Sequence, residues 1–211
     1  MLVSIDTSNG KITLFNISRD AMVDVTMYSA GGAYAGTEKQ QICLSYAYGD
    51  GKESSCENTV NSVQRLFYNI PINTYFSLDL DGISALNDSV GGVDVVSPET
   101  IGDFVEGESY HLVGQQAESF VRTRDTSKVD SNNMRMQRQK VYIQSFMNTV
   151  LQQTKKDLTT PLDLFNASAP YSCTNLNPSK VTYLAQQAVL GGMNGIDTVS
   201  YTHLRAHETT L

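Results

Sequence analysis

A chain of 211 residues, 40% hydrophobic and 18% charged, is long enough for one core or two small ones and lies in the globular range rather than the disordered one. Its formal charge of −7 excludes a general nucleic-acid binder, which needs clustered Lys and Arg. That average conceals a local inversion, because six basic and only two acidic residues lie between Ser119 and Lys140.

In chain order, Leu2 to Ile5 and Ile12 to Ile17 are apolar-rich runs on either side of Ser8-Asn9-Gly10. This predicts a β-hairpin in which Asn-Gly supplies the positive φ angles of a tight turn. The second strand runs into Ser18-Arg19-Asp20. Gly31 to Lys39 is small and polar and is expected to be loop. Val60, Val63, Phe67 and Ile70 follow helical spacing, with Ser55 as the cap and Pro71 as the stop. Thr74 to Leu80 alternates as a strand does, and Asp88 to Val96 is expected to be a glycine turn followed by a short strand. Gly114 to Val121 is a short helix that delivers Arg122 and Arg124. A long helix is expected over Asn133 to Gln153, where Tyr142, Phe146 and Val150 form a stripe beside Ile143, Met147 and Leu151. A last helix follows Pro178. Strands interspersed with helices give an α/β class, expected as a central mixed sheet with helices on both faces.

Three cysteines occur with no CxxC pair, so a zinc site is not indicated. Cys43 and Cys56 are close enough to bridge a short surface loop in an oxidising setting, or all three remain thiols. No apolar run approaches the ~20 residues that cross a bilayer. No signal peptide is evident, and Met1 leads straight into a strand, as in a fragment of a longer protein. The stretch 199–211 holds His203 and His207, lacks periodicity, and is set aside as an atypical, foreign tail. The pair has no third ligand to make a metal site. The expected domain is therefore 1–198.

The densest chemical signal is Arg122-Thr-Arg124, then Asp130, then Arg135-Met-Gln-Arg138-Gln139. Arg122 and Arg124 point the same way if their segment is extended. Arg135 and Gln139 share a helix face, with Arg138 one step round. Guanidinium groups brought together repel unless an anion lies between them, and phosphate suits their planar forks. On spacing alone, an exposed basic helix face paired with scattered carboxylates is the plainer alternative.

Six stretches, in order, carry a resemblance. Leu14 to Asp20 resembles a strand ending in Ser-Ile-Pro-Arg-Asp, with Ser18 in place of the proline. Ile42 to Gly49 resembles a segment rich in Asn, Ala and Tyr, with Gln41 where a lysine is usual. Ile72 to Leu80, Asp88 to Val95 (the Gly-Gly-Val turn), Gly114 to Arg124 and the Arg-x-x-Arg-Gln of Arg135 to Gln139 complete the series. Together, over Met1 to about Leu151, they resemble the catalytic domain of the LytR-CpsA-Psr family. Asp130 lies two places earlier than the family pattern sets its aspartate, and the family's upstream aspartates would precede Met1.

The resemblance implies a phosphotransferase that moves a phosphoglycan, from a teichoic acid, capsule or related polymer, off a polyprenyl pyrophosphate carrier onto a peptidoglycan sugar hydroxyl. Arg19, Arg122, Arg124, Arg135, Arg138 and Gln139 would bind the pyrophosphate. Asp130, Arg135 and Arg122 would be catalytic, with Asp130 the base. Asp20 would hold Arg19 or sit near a Mg2+ ion. The partners implied are the carrier-linked glycan and peptidoglycan, at the extracytoplasmic face of a bacterial membrane, reached by an N-terminal anchor absent from this chain. A non-catalytic polyprenyl-phosphate-binding module and a pyrophosphatase acting on the same lipid are the alternatives.

Overall fold

The computed structural model describes residues 1–127, 131–191 and 196–201. The expected α/β class is what forms. In chain order the elements are β1 (Leu2–Asp6), β2 (Lys11–Ile17), β3 (Met22–Tyr28), β4 (Tyr34–Gln41), α1 (Leu44–Ala47), α2 (Glu53–Leu66), β5 (Phe76–Leu78), α3 (Asp81–Ser89), β6 (Val93–Val96), β7 (Ser109–Leu112), α4 (Gln115–Arg122), α5 (Ser131–Lys156), α6 (Thr160–Ser168), β8 (Ser172–Thr174), α7 (Pro178–Leu190) and β9 (Ile196–Tyr201). Among the described residues the strands form one three-stranded sheet, β1-β2-β9, and three pairs, β3-β4, β5-β8 and β6-β7. No helix among these residues is long and apolar enough to cross a membrane.

The first hairpin forms as expected, with Leu2 opposite Phe15 and Asp6 opposite Lys11. Its turn is wider than a two-residue Asn-Gly connection. Only Gly10 takes a positive φ, at 66°, while the Asp6 carboxylate accepts from the Ser8 amide and hydroxyl and from Asn9 Nδ2. A Cβ on Gly10 would lie 2.3 Å from the Ala188 carbonyl oxygen, so the missing side chain lets the turn abut the end of α7. β9 then runs parallel to β2, pairing Ile12 with Ile196 and Ile17 with Tyr201. Val199, Ser200 and Tyr201 therefore belong to the sheet, beyond the expected boundary at 198. His203 and His207 lie outside the described residues.

The segment expected as loop is a strand, since β4 pairs with β3 from Met22–Gln41 to Tyr28–Tyr34. β4 is exposed over most of its length, so no buried face imposes the alternation by which strands are read. On the other side of β3, α2 covers the strand. Asn58 Nδ2 donates to the Thr26 and Ser45 carbonyls, and Arg65 Nη1 donates to the Asp24 carbonyl. α2 begins at Glu53, with Ser55 inside the helix rather than capping it: its buried hydroxyl donates to the Tyr46 carbonyl and accepts from the Gly51 amide. The helix ends at Leu66 because Tyr68 and Asn69 adopt left-handed φ values of 56° and 60°, ahead of Pro71.

Three apolar clusters hold these layers together. The largest joins β6, β7, α4 and α5 through Val93, Val95, Leu112, Phe120, Val121 and Tyr142. A second joins Ile12 and Leu14 of β2 to Leu151 of α5, and a third packs Val23 and Val25 of β3 against Val63 and Leu66 of α2. The two stripes read on α5 thus divide their work. Tyr142, Phe146 and Val150 face the first cluster, and Met147 and Leu151 face the second.

Candidate functional site

The site is assembled where α4 ends and α5 begins, and its frame starts at the glycine turn after α3. Asn87 is wholly buried. Its Nδ2 donates to the Leu112 carbonyl, its Oδ1 accepts from the Tyr142 hydroxyl, and its carbonyl accepts from the Gly92 amide. Gly92 has a φ of 93°, which favours glycine, and a Cβ there would crowd His111 Nε2 at 2.4 Å and the Leu112 carbonyl oxygen at 3.0 Å. The neighbouring Asp88 carboxylate accepts from the Gly114 amide at 2.7 Å, where its charge faces the N-terminus of α4. The Asp88–Val95 and Gly114–Arg124 stretches, separate in sequence, are thereby one frame.

Arg138 locks the other end of α4. Its side chain is fully buried; Nη1 donates to the Phe120 carbonyl at 2.6 Å and Nη2 to the Thr123 carbonyl. These are carbonyls that the last turn of a helix leaves without intrahelical partners. Arg138 Nε lies 2.6 Å from Oε1 of Glu99, an ion pair by distance though not aligned as a hydrogen bond. Gln139 Nε2 donates to the Val121 carbonyl at 3.2 Å, adding a second tie between the helices. With its donors spent on the protein, Arg138 is placed to position the site rather than to grip an anion.

The other arginines are arranged differently. Arg122 is the last residue of α4, so the extended segment in which it and Arg124 would point the same way begins only at Thr123. Helical spacing brings Arg122 Nη1 to 2.8 Å from Glu118 Oε1, with the Arg122 side chain largely exposed. Arg124 Nε instead donates to Ser131 Oγ at 3.0 Å, at the start of α5. Arg19 leaves β2 through a turn in which the Ala21 amide donates to the Ser18 carbonyl, with Ser18 Oγ accepting from the Asp20 amide. Its Nη2 reaches Cys43 Sγ at 3.9 Å, and Nε lies 3.8 Å from Asp20 Oδ1.

Arg135 is the centre of this group. Burial, and then the positive charges of Arg124, Arg19 and Arg138, push its guanidinium below the ordinary arginine value, with Asp20 opposing them. Four guanidinium groups from three stretches of chain therefore interact across one locus, against the carboxylates of Asp20 and Glu99. Such a concentration of positive charge, part of it desolvated, is relieved by a multiply charged anion. Asp130 lies outside the described residues. No group of three or more His, Cys, Asp or Glu able to hold a metal ion occurs among the described residues. Asp20, whose carboxylate lies 3.8 Å from Arg19 Nε, would suit a Mg2+ ion held chiefly by phosphate oxygens and water better than a protein-only cage.

Two contributors escape a reading of the sequence. Glu99 pairs with Arg138 across the fold and carries no local signal. Ser131, buried at the head of α5, is found only once Arg124 is seen to turn toward it.

Comparison with known proteins bears on this arrangement. The sequence profile described as the LytR_cpsA_psr family matches residues 1–210. A polyisoprenyl-teichoic acid–peptidoglycan teichoic acid transferase, TagU of Enterococcus faecalis, is 30% identical over 155 residues, covering 72% of this chain and 46% of its own length. TagV of Bacillus subtilis, a transferase of the same description, is 29% identical over 61% of this chain and 32% of its own. The chain thus spans less than half the length of these two relatives. In fold, it superposes on an Actinomyces oris LytR-Csp2A-Psr enzyme with a TM-score of 0.70 at 17% identity, over 99% of this chain and 78% of the other.

Proposed function

This chain belongs to the LytR_cpsA_psr family, and on that premise we propose that it is a phosphotransferase moving a phosphoglycan from a polyprenyl pyrophosphate carrier to a peptidoglycan sugar hydroxyl. The observation that carries this function is the convergence of Arg19, Arg124 and Arg135 beside the buried Arg138. The names of the TagU and TagV relatives support the substrate class, with teichoic acid as the glycan. The work is then placed at the extracytoplasmic membrane surface, where carrier lipid and wall meet.

In this mechanism Arg19, Arg124 and Arg135 take the pyrophosphate oxygens, and the charges that repel in the free protein become ligands of one dianionic group. Arg122 stands beside this locus and can exchange Glu118 for a phosphate oxygen. Gln139 and Arg138 hold α4 against α5 so that the guanidinium planes keep their spacing. The acceptor hydroxyl oxygen attacks the phosphorus that bears the glycan, the bridging P–O bond breaks, and polyprenyl phosphate leaves. Asp130 is the proposed recipient of the hydroxyl proton. Phosphoryl transfer of this kind depends on positioning and charge neutralisation, which arginines supply. A Mg2+ ion, where bound, would neutralise phosphate charge next to Asp20.

The test is a reaction with a polyprenyl pyrophosphate-linked oligosaccharide, a peptidoglycan fragment and magnesium, read by mass spectrometry of the acceptor. Phosphoglycan on the acceptor is the expected result. Tight lipid binding without product would make the protein a carrier-binding module, and phosphorylated sugar released without acceptor would make it a pyrophosphatase.

A further inference from the structure

Sequence spacing suggested Cys43 and Cys56 as a bridge, but both are free thiols with different neighbours. Cys43 faces the arginine site, within reach of Arg19 and of the Gln41 side chain. Cys56 lies in the first turn of α2 at 4% exposure. Cys173 is the middle residue of β8, directly opposite Ser77 of β5, and α2 packs against β8. The Cys56 thiol lies within electrostatic reach of the Cys173 and Ser77 side chains, and the Tyr75 phenol within reach of both sulfurs. Four side chains from α2, from β8 and from β5 with its approach are thus neighbours where α2 packs on β8, two of them thiols.

We propose that Cys56 and Cys173, free thiols in this structure, are oxidised to a disulfide that fastens α2 to β8. The oxidant is a disulfide donor, either a protein disulfide or an oxidised low-molecular-weight thiol. Cys173 thiolate attacks one donor sulfur, giving a mixed disulfide and releasing the first donor thiol. Cys56 thiolate then attacks Cys173 Sγ and releases the second. Two S–H bonds are oxidised to one S–S bond, the donor S–S bond is reduced to two thiols, and the two protons pass to the departing thiolates. Burial and the neighbouring Cys173 push the Cys56 thiol up to about 11, and Cys173 is the more accessible of the two, so Cys173 is placed to meet the donor first.

The bridge would close a loop of about 120 residues that contains the whole frame of the arginine site. A closure of that length restrains the unfolded chain strongly, and a rise in Tm of about 10 °C is expected. The pairing rests on the packing of α2 against β8 and on the neighbouring thiols it brings together. Its formation in the cell rests on the extracytoplasmic location proposed above.

The protein purified under reductant is incubated with glutathione disulfide, then analysed by thiol titration, unreduced peptide mapping and thermal melting. Expected are a single remaining thiol at Cys43, a peptide cross-linked through Cys56 and Cys173, and a Tm rise that dithiothreitol reverses. Cys43→Ser should keep the cross-link, while Cys56→Ser or Cys173→Ser should abolish it and the Tm rise. Three persistent thiols, or a cross-link through Cys43, would overturn the assignment. Alkylating thiols in intact cells separates the two premises: a bridge formed in vitro with both cysteines alkylated in cells upholds the pairing and counts against the location.

Discussion

The two ends of α5 show how one helix serves as both wall and core. In its first turns, from Ser131 to Gln139, the side chains that matter are polar and act on the ends of other elements. From Tyr142 to Leu151 the same helix is packed between two apolar clusters. The apolar half fixes where the helix lies, and the polar half uses that fixed position to hold like charges together. Arg135 and Arg138 mark the division. They are three residues apart, yet one gives its donors to the protein while the other lies at the focus of its neighbours' charge.

That contrast predicts distinct losses for substitutions only a turn apart. Arg138→Ala should have the largest effect on stability, about 3–5 kcal/mol, because it leaves Glu99 buried and uncompensated and frees two carbonyls. Chemical denaturation measures it, and a variant as stable as the wild type would remove Arg138 from the frame. Arg135→Ala should instead lower transfer by about 10²–10³-fold, or ~2.7–4 kcal/mol, with a smaller loss of stability than Arg138→Ala. A destabilised but active protein would reverse the roles assigned to the two arginines.

Smaller effects sharpen the same division. Tyr142→Phe keeps the ring in the core and removes the hydrogen bond to Asn87, which should cost about 1 kcal/mol of stability. Turnover at a temperature where the variant is folded should be unchanged. Arg122→Ala breaks an exposed pair at helical spacing, worth about 0.3–0.5 kcal/mol in folding. Its effect on turnover should fall below that of Arg135→Ala. An equal loss would mean that Arg122 leaves Glu118 for the pyrophosphate when the lipid binds.

Where a local pattern and a buried face coincide, the fold could be read in advance. The first hairpin, the α5 stripes, the helix after Pro178 and the turn at Gly91 and Gly92 are of this kind. β4 could not be read, because an exposed strand has no buried side to set its alternation. The start of α2 was displaced because its buried face is built of Ser55, Asn58 and Ser62, whose hydroxyl and amide groups bond to main chain instead of forming an apolar stripe. Of the proposed site residues, Arg19, Arg124 and Arg135 are singled out by motifs, whereas the separate surroundings of Arg122 and Arg138 depend on Glu118 and Glu99. Glu99 is far away in sequence, and only the closed fold selects it as a partner.

The parallel ladder between β2 and β9 bears on how the molecule is made. Ile12 cannot meet Ile196 until the roughly 180 residues between them have been made, so one side of β2 must wait through that stretch of synthesis with its amides and carbonyls unmatched. Contacts so distant along the chain slow folding and leave a bare strand margin that can capture a foreign strand. The β2–β9 ladder therefore forms later than the β1–β2 hairpin, and a helper that shields β2 in the interval would raise the yield of native protein.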